Sequence, residues 1–216
     1  MVSYGKLESI GDDMFISKFG ITTKQKHFPK LIGNPFTIGT YAKNVWDMQL
    51  FDGKIYLGHG NGSNNSPDAN SGVSGIIYLN PATGLFTNEY NSVQDRQINI
   101  YKIIDGDLRM PGLDRLSGTT ANYYRYINGA WDRKTTLPHT NHVFDLAYKD
   151  GILFAGTASS DLGTYLDDVF VSNDDGAIWT NLDDNNGGRL YKFFELKGLY
   201  IAQLYLVYIR QILFLE

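Results

Sequence analysis

The sequence contains no cysteine, which excludes disulfide bridges, thiolate metal sites and cysteine nucleophiles. Histidine is also scarce: there are four in 216 residues, and none falls in a metal-ligand spacing such as His-Glu-x-x-His. Glycine-rich phosphate loops and the serine motifs of hydrolases are missing as well. We therefore expect no cofactor and no bound metal.

Charged residues are sparse as well. Asp, Glu, Lys and Arg make up 19% of the chain, and 19 basic residues stand against 23 acidic ones, for a net charge of −4. Proteins bind nucleic acids mainly through Lys and Arg contacts to phosphates. An acidic chain with few cations is a poor match for that surface, so we expect no nucleic-acid partner.

The two ends of the chain differ in character. The N-terminal residues lack the basic and apolar regions of a secretory signal. Residues 199–216 are largely apolar, but a membrane-spanning helix needs about 20 apolar residues, and this segment includes Gln203, Arg210 and Gln211. We expect no membrane insertion. The segment is either a buried pair of strands or the point where the natural sequence is interrupted.

Glycine and aromatic residues are abundant: the chain has 23 Gly, 15 Tyr and 14% aromatic residues. Strands favour aromatic side chains, and tight turns favour glycine. Hydrophobic residues make up 43%, enough for a sizeable core, and 216 residues suit one large all-β domain. The composition therefore predicts a turn-rich β protein with a single domain over residues 1–216.

An internal repeat is the most informative feature of the sequence. Residues 142–156 repeat residues 44–58 at an offset of 98, with five identities. Weaker copies lie at 7–20, 98–112 and 189–203. Each copy has two apolar runs around a turn glycine, and successive turn glycines are 42, 53, 45 and 47 residues apart. The identical positions are Val45, Asp47, Asp52, Gly53 and Gly58, which recur as Val143, Asp145, Asp150, Gly151 and Gly156.

The repeat predicts a module of four antiparallel strands. An Asp-Gly pair between apolar runs indicates a type I′ hairpin, here called strands A and B. A second hairpin, strands C and D, follows at 75–89, 122–134 and 168–182. Such a module, recurring at this period, is typical of β-propeller blades, with a sandwich of hairpins as the alternative. We predict an all-β propeller of about 4–5 blades, complete or truncated. Repeats 1 to 5 lie near residues 7–40, 44–89, 98–134, 142–182 and 189–216.

The C–D hairpin of repeat 4 reads SNDDGAIW at 172–179. It resembles the Asp-box, or BNR repeat, of sialidase-like propellers, whose pattern is Ser-x-Asp-x-Gly-x-Thr-Trp. The resemblance implies a structural turn away from the active face. A calcium loop at 173–175 and 183–186 is the alternative, although it lacks the EF-hand spacing. The matching residues are Ser172, Asp174, Gly176 and Trp179, and Ile178 replaces the usual Thr.

The long polar connections of this topology are predicted to gather on one rim. The A–B and C–D turns occupy one rim of a blade, and the B–C and D–A connections occupy the other. Loops on a rigid scaffold commonly carry function, although ordinary solvated loops would look the same. The candidate ligand-binding residues on this rim are His59, Asn61, Asn64, Asp68, Asp114, Arg115, His139 and His142.

Strand A normally lines the central channel of a propeller. Asp47 and Asp145 recur at one position of strand A, preceded by Trp46 and Phe144. A His and Asp cluster on this rim could bind a metal or transfer protons. Because the two aspartates are repeated, we favour a structural role in the blade, for example a bond to a neighbouring backbone group.

The function that we expect is recognition of a glycan or surface protein, without catalysis. Tyr, Asn, Ser and Gly on a loop-rich rim suit adaptable polar contacts and stacking. A sialidase-like glycoside hydrolase is the alternative, but its Arg-Ile-Pro segment has only a displaced counterpart, Leu108-Arg109-Met110-Pro111. Asp68 and Asp114 are the candidate carboxylate pair for general glycoside hydrolysis. An intracellular scaffold propeller is a third class. The composition also resembles phage tail or adsorption proteins, which favours a virion or extracellular location; the oligomeric state is left open.

Overall fold

The computed structural model divides the chain into two compact units, Met1–Asn34 and Pro35–Glu216. In the first unit, β1 (Glu8–Ile10) and β2 (Asp13–Phe15) form an antiparallel hairpin. The remaining strands belong to the second unit, and no helix occurs among the described residues. The structure describes residues 8–10, 13–15, 33, 35–36, 45–61, 74–118, 120–138, 140–158, 169–182, 189–196 and 199–205.

Repeat 2 forms a four-stranded antiparallel sheet whose strands follow in chain order. They are β3 (Val45–Phe51), β4 (Lys54–His59), β5 (Ile76–Asn80) and β6 (Leu85–Tyr90). The connection to repeat 3 then contributes the short strand β7 (Asp95–Gln97).

Repeat 3 forms a second sheet of the same kind. Its strands are β8 (Lys102–Ile104), β9 (Asp107–Pro111), β11 (Ala121–Ile127) and β12 (Ala130–Leu137). The intervening short strand β10 (Leu113–Arg115) lies outside this sheet and pairs with β7.

Repeat 4 forms the third four-stranded sheet, and repeat 5 contributes an A–B hairpin. The strands of repeat 4 are β13 (His142–Lys149), β14 (Ile152–Ala158), β15 (Val169–Ser172) and β16 (Thr180–Asn181). Those of repeat 5 are β17 (Arg189–Leu196) and β18 (Leu199–Tyr205).

The hairpin turns have the backbone conformation that a type I′ turn requires. Both central residues have positive φ, at 46° to 52° for the Asp or Asn and 71° to 86° for the Gly. Such angles cost little only for Gly, and for Asn or Asp among the other residues. The sequence-based prediction of these turns is therefore confirmed. The turns are Asp52–Gly53, Asp105–Gly106, Asn128–Gly129 and Asp150–Gly151.

The hydrophobic core lies between consecutive sheets. One cluster joins repeats 2 and 3 through Tyr56, Tyr101 and Trp131. A second joins repeats 3 and 4, and a third joins repeat 4 to the hairpin of repeat 5. Four-stranded antiparallel sheets that pack face to face in chain order are the arrangement of β-propeller blades. The predicted all-β propeller fold is confirmed for this part of the chain.

The connections between hairpins meet one another on one side of the sheets. In β7, Gln97 pairs with Leu113 of the B–C connection of repeat 3 and bridges to Gly60 at the end of strand B of repeat 2. This pairing places the D–A connection and two B–C connections together, and we call their location the connection rim.

Among the described residues, no helix is long and apolar enough to cross a membrane.

The segment 172–179 of repeat 4 forms a closely bonded turn. The Ser172 hydroxyl donates to Asp174 Oδ1 at 2.7 Å and accepts the N–H of Gly176 at 2.8 Å. Asp174 Oδ1 also accepts the N–H of Ile178 at 2.9 Å, and this bond above all lowers the pKa of the Asp174 carboxyl. Both of these hydrogen bonds to Asp174 Oδ1 come from residues of the turn itself.

Trp179 anchors this turn in the core between repeats 3 and 4. Its ring is buried and meets Tyr123 edge-on, with centroids 6.0 Å apart. Its Nε1 donates to Thr136 Oγ1 at 3.0 Å, and the Tyr123 hydroxyl donates to the carbonyl of Asp175 at 2.9 Å. The 172–179 turn of repeat 4 therefore packs on strands of repeat 3.

We expect Trp179→Ala to lower the free energy of unfolding by about 3–5 kcal/mol, because truncating a buried Trp leaves a cavity. A denaturant titration measures this loss. Ile178→Ala is the matched control: the Ile178 side chain is 71% exposed, so its removal should change stability by about 0.5 kcal/mol or less. Equal losses for the two variants would contradict the placement of the indole.

Candidate functional site

Three strand-A segments carry a β-bulge at the same repeat position. In β3 the pairing skips from Val45 to Asp47, and in β13 it skips from Val143 to Asp145. The same skip occurs in β17 between Leu190 and Lys192. Bulges leave one residue outside the ladder and redirect its side chain. The redirected residues are all aromatic: Trp46, Phe144 and Tyr191.

These three aromatic residues line a single open cavity of about 420 Å³. Aligned on the turn glycines, Asn99 occupies the equivalent position in repeat 3, and it also lines the cavity. The cavity therefore collects the same position from four successive repeats. Its lining residues are Trp46, Asp47, Gln97, Asn99, Ile100, Phe144, Tyr191 and Lys192.

The aromatic rings differ in how much surface they offer. Trp46 is 52% exposed and Tyr191 is 38% exposed, whereas Phe144 is buried. Phe144 contacts Tyr191, with centroids 4.5 Å apart, and stacks on His142 at 5.6 Å. Trp46 is held by a bond from its Nε1 to the carbonyl of Gly60 at 3.0 Å. Two oriented rings, Trp46 and Tyr191, are thus available for stacking.

Polar groups sit beside the rings. The side-chain amide of Gln97 donates to Asn99 Oδ1, so the two amides support each other at the cavity wall. Asp47 and Lys192 add one charge of each sign. Apolar faces combined with a few fixed polar groups are typical of small-molecule binding sites.

The two repeated aspartates have the structural role that their recurrence predicts, and the backbone groups that they bond belong to the next repeat. Asp47 Oδ2 accepts the backbone N–H of Tyr101 at 2.7 Å, and Asp145 Oδ2 accepts that of Phe193 at 2.9 Å. Tyr101 and Phe193 occupy equivalent positions on strand A of repeats 3 and 5. The structural interpretation of these aspartates is confirmed for both bonds.

Asp145 is fully buried and carries additional partners. Its Oδ1 receives Lys102 Nζ of repeat 3 at 2.7 Å and the N–H of Leu146 at 2.9 Å. Lys192 Nζ of repeat 5 lies farther away, at 3.9 Å from Oδ2. Burial lowers the pKa of the Lys102 ammonium, and the Asp145 charge opposes that shift. Asp145 therefore links repeats 3, 4 and 5.

Three of the eight residues proposed from sequence meet at the connection rim. Asp114 pairs with Arg96 at 3.1 Å, and its backbone N–H donates to His142 Nδ1 at 3.1 Å. Arg115 donates from Nη1 to the carbonyl of Thr140 and to Asn141 Oδ1. Burial lowers the pKa of His142, partly offset by Asp114. These contacts tie the connections to one another.

His59 and Asn61 lie at the end of strand B in repeat 2. The His59 side chain is buried, its Nε2 lies 2.7 Å from the carbonyl of Gly75, and burial lowers its pKa. The backbone N–H of Asn61 donates to the carbonyl of Arg96 at 3.1 Å. The other three proposed residues, Asn64, Asp68 and His139, lie outside the described residues.

None of the described residues proposed as ligand-binding lines the cavity. Trp46 and Phe144 are predicted from sequence to lie at the channel but are not among the predicted ligand-binding residues, and neither are Gln97, Asn99 and Tyr191. Aligning the weaker copies on their turn glycines would have placed Asn99 and Tyr191 beside the two aromatics. Ligand binding by the eight residues stays a prediction.

A buried carboxylate supports β7, the strand that carries Gln97. Asp95 is fully buried, and its Oδ2 accepts the Tyr124 hydroxyl at 2.6 Å and the Asn122 amide at 3.0 Å. Its Oδ1 has no hydrogen-bond partner. A Cβ on Gly112 would lie 2.5 Å from Asp95 Oδ2, so only glycine allows this packing. Burial raises the pKa of Asp95 to about 6.

Comparisons with known proteins add little about activity. No protein-family model and no curated protein matches the chain. Among solved structures, the chain is similar to an alpha-L-arabinofuranosidase from Clostridium thermocellum, at 15% identity and a TM-score of 0.43. That match covers 75% of this chain and 61% of the enzyme.

The described residues include no group of three or more His, Asp or Glu side chains that could hold a metal ion.

We expect Asp145→Ala to destabilise the protein by about 3–5 kcal/mol, because it leaves Lys102 without its buried partner. Asp132→Ala is the control: Asp132 pairs with Lys134 at 2.8 Å on the surface, and such pairs contribute about 1 kcal/mol or less. Denaturant titration of both variants measures the difference. A loss for Asp145→Ala no larger than that for Asp132→Ala would contradict the proposed linkage between repeats.

Asp95 predicts a pH-dependent contribution to stability. Its folded-state pKa of about 6 exceeds the ordinary value of 3.8, so the folded protein binds more protons between these values and loses stability as the pH rises through them. At about 1.4 kcal/mol per pKa unit, the full loss is about 3 kcal/mol. The free energy of unfolding of Asp95→Asn, measured relative to that of the wild type, should therefore rise by about 3 kcal/mol from pH 4 to pH 7.

Urea titrations at several pH values measure this difference. His59 and His142 titrate in both proteins, so their contributions cancel in the comparison. A difference between Asp95→Asn and the wild type that stays constant with pH would show that Asp95 does not titrate in this window.

Proposed function

We propose that this propeller recognises a saccharide in the cavity lined by Trp46, Phe144 and Tyr191 and does not cleave it. The observation that carries the proposal is that three bulges direct Trp46, Phe144 and Tyr191 to one cavity, beside the paired amides of Gln97 and Asn99. A sugar ring presents an apolar face of C–H groups and an edge of hydroxyls. Exposed aromatic faces match the former, and amides and charged groups match the latter.

The volume of the cavity supports a ligand of this size. At about 420 Å³, it falls in the range of small-molecule sites, about 300–1,000 Å³. Its open form suits one or two sugar rings at the end of a longer glycan. A surface protein that presents such a glycan would be captured in the same way.

The engagement of the carboxylates supports binding without cleavage. Glycoside hydrolysis by the common mechanisms uses two carboxylates on either side of the scissile bond. Asp47 lines the cavity with Oδ2 bonded to the next repeat, and Asp145 is fully buried against Lys102 and the backbone. Both carboxylates therefore have structural partners.

A sialidase-like activity has less support. The enzymes of the sialidase-like family resemble one another in an arginine cluster that clamps the carboxylate of the substrate. The segment of this chain that corresponds to their Arg-Ile-Pro motif contains Arg109. This arginine is buried in the core, and its Nη1 lies 2.6 Å from Asp175 of the 172–179 turn. Arg125 bonds the same Asp175 and also Asp107. Both guanidinium groups thus hold repeat 4 on repeat 3.

We also propose that the chain is an Asp-box propeller and acts as a phage tail, adsorption or cell-surface component. The bonds of Ser172 and Asp174 within the turn and the buried Trp179 support the Asp-box assignment. The adsorption role rests on the composition, which is cysteine-free and rich in Gly and Tyr, together with the proposed glycan site.

We expect Trp46→Ala and Tyr191→Ala each to weaken glycan binding at least fivefold, because each removes a stacking face worth about 1 kcal/mol. A glycan array with whole bacterial cells identifies the ligand, and isothermal titration calorimetry then measures the affinities. Met48→Ala and Phe194→Ala are matched controls on the same strands, since both side chains are exposed and neither lines the cavity. These controls should retain wild-type affinity.

Two results would contradict the function, and a third would contradict its location in the cavity. One is the absence of binding to any glycan or cell surface on the array by the folded wild type. The other is turnover of sialosides or mixed aryl glycosides that is lost in Asp47→Asn, since this would make the cavity catalytic. Binding that the Met48 and Phe194 variants lose as much as the cavity variants would move the site elsewhere.

A further inference from the structure

The charges around the cavity are balanced rather than of one sign. Asp47 and Lys192 are the charged residues in the lining that the structure describes. Behind them, the buried Asp145 pairs with Lys102 at 2.7 Å, and Lys192 Nζ lies 3.9 Å from the same carboxylate. The ammonium of Lys192 therefore already faces negative charge from Asp145, and Asp47 shares its cavity.

The arginines of the connection rim are engaged in the protein. Arg96 pairs with the Asp114 carboxylate at 3.1 Å. Arg115 directs Nε to the carbonyl of Gly118 and Nη1 to Thr140 and Asn141. A guanidinium is the group best suited to clamp a carboxylate in two parallel bonds, and each of these two already bonds groups of the connections.

The histidine beside the cavity adds no positive charge. His142 stacks on Phe144, and its Nδ1 accepts the backbone N–H of Asp114 at 3.1 Å. Only an unprotonated ring nitrogen can accept a hydrogen bond, so this geometry requires the neutral imidazole. Burial of the ring lowers its pKa and so favours the same state.

We propose that the cavity selects uncharged saccharides over their carboxylate-bearing counterparts and that Asp47 is the residue that sets this preference. The inference rests on the proposed saccharide binding and narrows it to a ligand class. The Asp47 carboxylate can accept strong hydrogen bonds from sugar hydroxyls. A carboxylate of the ligand at the same place would instead be repelled by the negative charge of Asp47. Trp46 and Tyr191 stack with either kind of ring, so the discrimination comes from the charged groups.

The test uses a glycan array with matched neutral and acidic members, including lactose against 3′-sialyllactose, and galactose and glucose against their uronic acids. Titration calorimetry then measures each bound pair. We expect the neutral member to bind at least tenfold more tightly. Asp47→Asn, which keeps an oxygen acceptor for the Tyr101 N–H, should reduce that ratio at least fivefold, and a thermal melt checks that the variant is folded.

A second variant keeps the test independent of the structural bond of Asp47. Asn99→Asp adds a carboxylate to the same cavity without altering the contact to Tyr101, and it should weaken acidic glycans at least threefold more than neutral ones. Lys134→Gln, at a surface pair with Asp132 on β12, is the control for a general change in charge and should leave the ratio unchanged.

The outcomes separate the two proposals. Preference of the wild type for acidic glycans overturns the selectivity and leaves saccharide binding in place. A neutral preference that neither Asp47→Asn nor Asn99→Asp changes overturns the role of the cavity charge. Binding of no glycan by the folded wild type overturns the proposed function and this inference together.

Discussion

A carboxylate of strand A that accepts a backbone N–H of the next repeat is the interaction on which the other features depend. Asp47 and Asp145 make this bond to equivalent residues, and a glycine on the adjoining strand B allows the close approach that it needs. A Cβ on Gly58 would lie 2.9 Å from the carbonyl of Ile98, and one on Gly156 would lie 3.0 Å from that of Leu190. The aspartate and the glycine recur together because one contact requires both.

In β3 and β13 the β-bulge is compatible with the same constraint, and β17 has the same bulge with Lys192 in place of the aspartate. The aspartate must point along the sheet edge to the next repeat, while the residues after it continue the ladder with strand B. One extra residue before the aspartate accommodates both demands, and that residue leaves the ladder. Because it lies at the edge nearest the connections, its side chain is free to face the cavity. Trp46 and Phe144 therefore reach the cavity through the bulge that precedes a joining aspartate, and Tyr191 reaches it through the corresponding bulge of β17.

The sequence predicted the turns, the four-stranded modules and the bonding role of Asp47 and Asp145, since all of these leave a local or recurring pattern. The cavity left a weaker pattern. Its wall comes from four repeats whose residues at the shared position differ in type, from Trp46 to Asn99, and a bulge changes strand register without a signature in the residues. Asp114 and His142 were proposed from loop polarity, yet polarity does not distinguish a side chain that binds a ligand from one that joins two connections.

Repeat 3 departs from the pattern, and this departure shapes the site. Aligned on the turn glycines, it has Ile100 where its neighbours have Asp47 and Asp145, so it offers no carboxylate to repeat 4. Here the later repeat supplies the carboxylate instead, because Lys102 of repeat 3 donates to Asp145 of repeat 4. This substitution brings a cation to a fully buried carboxylate and compensates its charge. One residue before Ile100, Asn99 places an amide beside that of Gln97 where the neighbouring repeats place a ring. A strictly repeated sequence would line the cavity with identical groups, whereas one altered repeat adds amides to a lining of aromatic rings, and the mixture offers different contacts to the different faces of a ligand.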